Sequence, residues 1–215
     1  YAVRGTRIRP DLVASPGACL MWISAGFPAR HRLVLAAARL MLTFRHPALV
    51  ARFAMKLGYL PNPGAPNNYH ELMLWRKVVD RNPLFVTLTD KVAAKGYIRG
   101  ICPELPQPKT LWSGRDPANI PSELLAGDVV VKASHGCAMN IFVSGGRPDR
   151  AAIIAKARRW LTKRYGRRDG EWAYWPIAPT VFVEERLDLS GGTMATDIKV
   201  HVCSGIVCHV WVEDK

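Results

Sequence analysis

A lysine at the end of an apolar run is the first feature of this sequence that could do chemistry. Lys132 follows three consecutive valines, which predict a buried strand over residues 128–132. A lysine there must either extend its ammonium group into solvent or meet an anion. The loop that follows holds Ser134, His135 and Gly136, which offer hydroxyl, imidazole and unhindered backbone N–H groups. A cation beside amide donors suits phosphate binding, and a surface lysine before an ordinary hairpin loop is the alternative.

The phosphate interpretation needs support from other segments, because neither a Walker A loop nor a dinucleotide fingerprint is present. Six short segments follow one another in a compatible order: Trp75-Arg76-Lys77, Arg81-Asn82-Pro83-Leu84, Thr89-Asp90-Lys91, residues 129–136, residues 179–185 and Asp197-Ile198-Lys199. From residue 56 onward the chain thereby resembles the teichuronopeptide-biosynthesis (TupA-like) branch of the ATP-grasp superfamily.

The resemblance implies a role for each matching residue near the phosphates. Lys91 and Lys132 correspond to the two lysines that contact the phosphates of ATP, and Lys132 also lies near the adenine. Ser134, His135 and Gly136 correspond to the small loop that closes over the phosphates. Lys91 and Lys132 are therefore the expected catalytic residues.

The resemblance also implies where the nucleoside lies. Glu184, Glu185 and Leu187 correspond to the hinge that reads adenine and ribose, and Asp197 and Lys199 to the start of a second ATP-binding subdomain. An apolar strand that ends in two glutamates can pack against a ring and accept from ribose hydroxyls, although an ordinary strand with a charged exit has the same pattern.

Two departures from the family pattern concern charge. Lys95 stands where the family often has arginine, which keeps the charge but loses the bidentate fork. The acidic and Asn residues that would hold Mg²⁺ are not evident, with Asp214 as a candidate for the first of them. The metal ligands therefore stay unassigned.

The elements that must position these residues follow from periodicity and turn signals. Helices are predicted over residues 1–60 with breaks at Pro28 and Pro47, 69–80, 91–99 and after the cap Asp149; strands over 109–112, 128–132, 141–143 and 180–185; and a hairpin over 197–203 and 206–212. The expected class is α+β and ATP-grasp-like: a helical N-terminal part followed by two antiparallel-sheet subdomains with the nucleotide between them, truncated at both ends. The predicted segments are 1–68, 69–127, 128–183 and 184–215.

The composition favours an anionic partner. The formal charge is +13, with basic clusters at Arg4, Arg7 and Arg9 and over residues 163–168. The absence of a nucleic-acid-binding motif disfavours nucleic acid. The apolar run over residues 18–27 is too short to span a membrane, which leaves peripheral contact open. Five cysteines without a CxxC pair fit a reduced, cytoplasmic protein.

These inferences predict an ATP-dependent carboxylate–amine ligase of cell-surface polysaccharide or glycopeptide biosynthesis, which works through an acyl phosphate. ATP and Mg²⁺ are the expected cofactors, and a glycan, amino acid or peptide the expected substrate. The expected location is the cytoplasm, with contact with the inner face of the membrane left open. The alternatives are a phosphotransferase acting on a sugar hydroxyl, and a non-catalytic basic module that binds acidic polymer or membrane.

Overall fold

A computed structural model describes residues 29–146, 148–187, 197–203 and 205–213. The predicted helix before residue 29, the apolar run over residues 18–27, the first basic cluster and Asp214 lie outside these residues. The helices are α1 (Ala29–Arg45), α2 (Pro47–Leu57), α3 (Tyr69–Val78), α4 (Leu84–Thr89), α5 (Lys91–Ile101), α6 (Ser122–Leu125) and α7 (Arg150–Leu161). The strands are β1 (Thr110–Gly114), β2 (Val129–Ala133), β3 (Asn140–Val143), β4 (Val181–Glu185), β5 (Asp197–Cys203) and β6 (Ile206–Glu213). The protein is an α+β fold with antiparallel sheets.

Helices α1, α2 and α3 share a small apolar core. Leu42, Val50, Leu74 and Val78 are its buried members. The predicted break at Pro47 is confirmed, because α2 begins at this proline, where a missing N–H leaves no helical hydrogen bond unmade. No single described helix is long and apolar enough to cross a membrane; α1 and α2 meet the length and composition test only as a pair, bent by 98°.

The Pro- and Asn-rich loop before α3 is held by a buried carboxylate. Glu71 accepts from the backbone N–H of Asn62 (3.0 Å) and of Asn67 (2.7 Å). The side chain of Asn68 caps α3 by accepting from the Glu71 N–H at 3.0 Å. The polar composition of residues 61–68 predicted a loop, and this clamp fixes its path against α3.

Helix α4 is an element that the sequence patterns did not predict. Its six residues, LFVTLT, are mostly β-branched or aromatic and therefore favour a strand by propensity. The local turn overrides this preference, because the Asn82 side chain accepts from the Leu84 N–H at 3.0 Å just after Pro83. The result is a short helix directly before α5.

Four strands form an antiparallel sheet in the order β1-β4-β2-β3. Helix α7 packs on one face, where Ile153, Ala157 and Trp160 meet the inward-facing valines of β2 and β4. Strand β1 belongs to the predicted segment 69–127 and β4 crosses residue 183, so this sheet draws on three of the predicted segments. Strands β5 and β6 pair separately as the predicted hairpin.

Candidate functional site

Strand register brings an acid and a base together on the sheet face opposite α7. In the pairing of β2 with β4, Val130 lies opposite Glu184 and Lys132 lies opposite Phe182. Because side chains alternate along a strand, all four share one face. Valines 129, 131, 181 and 183 occupy the other face, in the core beneath α7.

Glu184 is the centre of this cluster. It is only 3% exposed, and each of its carboxylate oxygens receives a lysine. The Lys95 ammonium group lies 2.6 Å from Oε2, while that of Lys132 donates to Oε1. Lys95 also donates to the carbonyl of Pro108 at 2.7 Å. Of the two alternatives for Lys132, solvent or an anion, the structure shows an anion, and it is an acid of the protein itself.

A third lysine lies at the start of α5. Asp90 caps this helix by accepting from the N–H groups of Val92 (2.9 Å) and Ala93 (3.3 Å). The next residue, Lys91, donates its backbone N–H to the Ser134 carbonyl at 3.2 Å. Helix α5 therefore begins against the end of β2.

The Lys91 ammonium group is bound by carbonyl groups of the neighbouring loop. It donates to the carbonyls of Ala133 (3.3 Å) and Gly136. Burial lowers the pKa of Lys91, and the positive charge of Lys132 lowers it further, while Asp90 and Glu184 act in the opposite direction. Because Ala133 directly follows Lys132, the contact between Lys91 and the Ala133 carbonyl places the two predicted catalytic lysines at the same end of β2.

The side chains of the predicted phosphate loop point into the protein. Ser134 is fully buried, and its N–H donates to the Thr180 carbonyl at 2.9 Å. The His135 Nε2 lies 2.9 Å from the Trp160 carbonyl and donates to it, and burial lowers the pKa of this imidazole. Ser134 Oγ and His135 Nδ1 are buried and have no hydrogen-bond partner among the described residues. A phosphate contact by either side chain stays a prediction.

Gly136 is required by its own neighbours. A Cβ at this position would lie 2.1 Å from Met139 Cε and 2.9 Å from Tyr165 Cδ2. The Tyr165 ring in turn packs against Tyr174, with centroids 4.6 Å apart, and the Tyr174 hydroxyl lies 3.1 Å from Cys137 Sγ. The glycine thus lets the loop lie directly on this tyrosine pair.

An aromatic groove of about 340 Å³ adjoins the loop on the side of Tyr174. Phe85 and Trp172 line it, and Arg76 and Lys77 supply its cations. The Arg76 guanidinium lies 4.6 Å from the centre of the Phe85 ring. Thr89 also lines the groove, two residues before Lys91, so the groove reaches the start of α5. The segment 75–77 therefore borders this groove through Arg76 and Lys77, and Arg81, from the segment 81–84, lies 5.0 Å from the centre of the Trp172 ring.

The other predicted binding residues lie further along the chain. Glu185 accepts from the Lys109 N–H at 2.8 Å and so fastens the end of β1 to β4. Leu187 is 61% exposed. Lys199 is exposed on the hairpin face that also carries His201, whose ring lies 6.4 Å from that of Tyr69. The side chain of Asp197 lies outside the part of the chain that the structure describes. Nucleotide contacts by these residues stay predictions.

Lys95 is the site residue that the sequence treated only as a departure from a family pattern. Lys95 lies about one turn after the start of α5, and this position gave no sign of a partner, because Glu184 lies 89 residues further along the chain. The one available signal was charge: two glutamates at the end of an apolar strand need cations nearby if the strand is buried.

A metal centre is not evident within residues 29–146, 148–187, 197–203 and 205–213, which contain no group of three His, Cys, Asp or Glu side chains able to hold an ion. The Mg²⁺ ligands therefore stay unassigned. A scan against protein-family models and searches of curated proteins and of solved structures found no match to this chain.

Proposed function

We propose that this protein is an ATP-dependent carboxylate–amine ligase of the ATP-grasp type that acts in surface-polymer biosynthesis. The observation that carries the proposal is a group of three lysines at one end of the sheet. Lys95 and Lys132 pair with the two oxygens of Glu184, and Lys91, from the same helix as Lys95, donates to the Ala133 carbonyl at the end of β2. These lysines come from a helix and a strand that are distant in sequence, as a built anion site requires.

The charge balance of the cluster favours a polyanionic ligand. Two ammonium groups pair with one buried carboxylate, Glu184, and the third, that of Lys91, is bound by carbonyl groups. The side chain of Asp90 accepts from helix N–H groups. Lys91 is held by carbonyl dipoles and bears the cost of desolvation, which an anionic ligand would offset. A triphosphate matches this surplus of ammonium groups.

Each lysine has a distinct task in this proposal. Lys91 and Lys132 bind and orient the phosphates, and Lys95 holds Glu184 so that Lys132 keeps its direction. ATP supplies the transferable phosphoryl group when it is bound. Positioning and charge neutralisation are the main contributions that a protein makes to such a transfer.

The aromatic groove provides the space for the substrate that is activated. Its ring walls, Phe85 and Trp172, suit the apolar face of a sugar or the side chain of an amino acid, and its cations Arg76 and Lys77 suit a carboxylate. Thr89 lines the groove close to Lys91, so a carboxylate there would lie near the phosphates.

The proposed reaction has two steps, which use the nucleotide site and the groove together. A carboxylate oxygen of the substrate bonds to the γ-phosphorus of ATP and ADP leaves, which gives an acyl phosphate. An uncharged amine then attacks the acyl carbon, inorganic phosphate leaves, and the amine nitrogen loses a proton as the amide forms. The net products are an amide, ADP and phosphate.

ADP release by the full chain tests the proposal. We expect release that requires ATP together with a carboxylate and an amine, screened across uronates and amino acids, with an amide detected by mass spectrometry. A stable phosphorylated sugar without an amide would instead identify a phosphotransferase. ADP release that never depends on either substrate would contradict the ligase.

Lys132→Met tests the site itself. A charge-assisted hydrogen bond to phosphate contributes about 1.5–3 kcal/mol, so we expect ATP affinity to fall about tenfold or more. Calorimetry measures this, and Lys163→Met is the matched control because Lys163 is exposed beyond the end of α7. Equal affinities for the two variants would refute the assignment.

A further inference from the structure

Helix α1 exposes a continuous apolar stripe. Five large side chains of this helix are between 59% and 79% exposed: Leu33, Val34, Leu40, Met41 and Phe44. Leu40 follows Leu33 by seven residues, and Phe44 follows Leu40 by four. These spacings place the three side chains along one face of the helix. An apolar stripe of this length on a protein surface marks a contact with another apolar phase.

The rest of the molecule fixes the orientation of this stripe. Leu42 points into the core shared with α2 and α3. The loop before α3 lies against the backbone of α1, since a Cβ on Gly64 would be 2.7 Å from the Arg39 nitrogen and 3.0 Å from the Leu35 oxygen. With that side occupied, the face of Leu40 and Phe44 is directed away from the bundle.

Charge along the same segment has one sign. The sequence contains no Asp or Glu from residue 12 to residue 70. Within α1, Arg30, Arg32, Arg39 and Arg45 are all exposed, so arginines accompany the apolar stripe along its whole length. A helix that combines apolar side chains with arginines alone is suited to an anionic lipid surface, where both kinds of side chain find partners.

We infer that α1 docks this protein on a membrane that contains anionic phospholipid. The helix lies in the plane of the interface, with Leu33, Leu40 and Phe44 among the acyl chains and the arginines on lipid phosphates. This inference is independent of the ATP site, which lies on other elements.

Vesicle co-sedimentation of the full chain tests the inference. We expect binding to vesicles of phosphatidylcholine with phosphatidylglycerol, weak binding to phosphatidylcholine alone, and a decrease with added salt. Arg32→Glu with Arg39→Glu should reduce binding at least tenfold, since each arginine near such a surface contributes about fivefold. Leu40→Ser with Phe44→Ser should reduce it about tenfold through lost apolar burial.

Matched controls separate docking from unfolding. Phe142→Ser removes another aromatic side chain, 64% exposed on β3, and Arg99→Glu reverses an exposed charge on α5. Both controls should bind vesicles like the unmodified chain, and all variants should retain its circular dichroism spectrum. Vesicle binding that survives the Leu40 and Phe44 changes would show attraction to charge alone and overturn the inference, as would equal binding to vesicles without phosphatidylglycerol.

Discussion

Glu184 shows how one buried acid organises several bases. Its two oxygens are taken by Lys95 and Lys132, so neither the acid nor the pair of lysines can be considered in isolation. The family resemblance implied that Glu184 contacts the nucleoside. The pairing of Glu184 with both lysines supports a role in orienting the Lys132 side chain. Substitutions at these three positions should therefore be coupled.

Lys95→Met should lower the free energy of unfolding by about 1–3 kcal/mol, because Glu184 then keeps one of its two buried cationic partners. Glu184→Gln combined with Lys95→Met should cost less than the sum of the single changes. Denaturant unfolding measures all four proteins. Strictly additive values would show that the contact contributes nothing to stability.

His135 should make stability depend on pH. Burial lowers the pKa of its imidazole below the ordinary value of 6.5, so the unfolded chain binds the proton more readily than the folded one. Its contribution is complete above pH 6.5 and is lost as the pH falls through the lowered pKa. The unfolding midpoint of His135→Gln should therefore change less between neutral and acidic pH; an unchanged pH profile would contradict this assignment.

At the scale of elements, helix starts position the chemistry. Asp90 caps α5 and Asp149 caps α7, where its side chain accepts from the Ala152 N–H at 2.9 Å. Only the first of these caps lies beside a candidate site, because Lys91 follows it directly. The pair of helices therefore offers a controlled comparison.

Asp90→Ala and Asp149→Ala should each cost about 1 kcal/mol of stability through loss of a cap. Only Asp90→Ala should also weaken ATP binding, because it loosens the turn that holds Lys91 against the β2 loop. Thermal unfolding and calorimetry on the same samples provide both quantities. Equal ATP affinities in the two variants would show that the start of α5 does not contribute to ATP binding.

Local signals predicted most of these elements, and long-range contacts explain what they missed. Helices α5 and α7 and strand β2 were predictable because their signals are local. Each helix has an aspartate cap, Asp90 or Asp149, directly before it, and the strand contains consecutive valines. Helix α4 was not, because the turn formed by the Asn82 side chain before the helix outweighs the strand preference of its residues. The Lys132–Glu184 pair spans 52 residues and depends on strand order, which periodicity does not specify.

The whole molecule has two distinct surfaces, one on the helical bundle and one on the sheet. The sequence indicated only an excess of positive charge and not where these surfaces lie. The helical bundle turns an apolar, arginine-bearing face outward, while the sheet and α5 gather lysines beside an aromatic groove. If both proposals hold, the enzyme works at a membrane surface, where a lipid-linked acceptor would be within reach. The nucleotide site is the claim on which the catalytic part of this account depends.

Protection of lysines from an amine-acylating reagent tests that claim most directly. The reagent is applied with and without ATP, and modification of Lys91, Lys132 and the exposed Lys163 is quantified by peptide mass spectrometry. We predict that ATP reduces modification of Lys91 and Lys132 together and leaves Lys163 unchanged. Modification of Lys91 and Lys132 that is the same with and without ATP would contradict a shared triphosphate site.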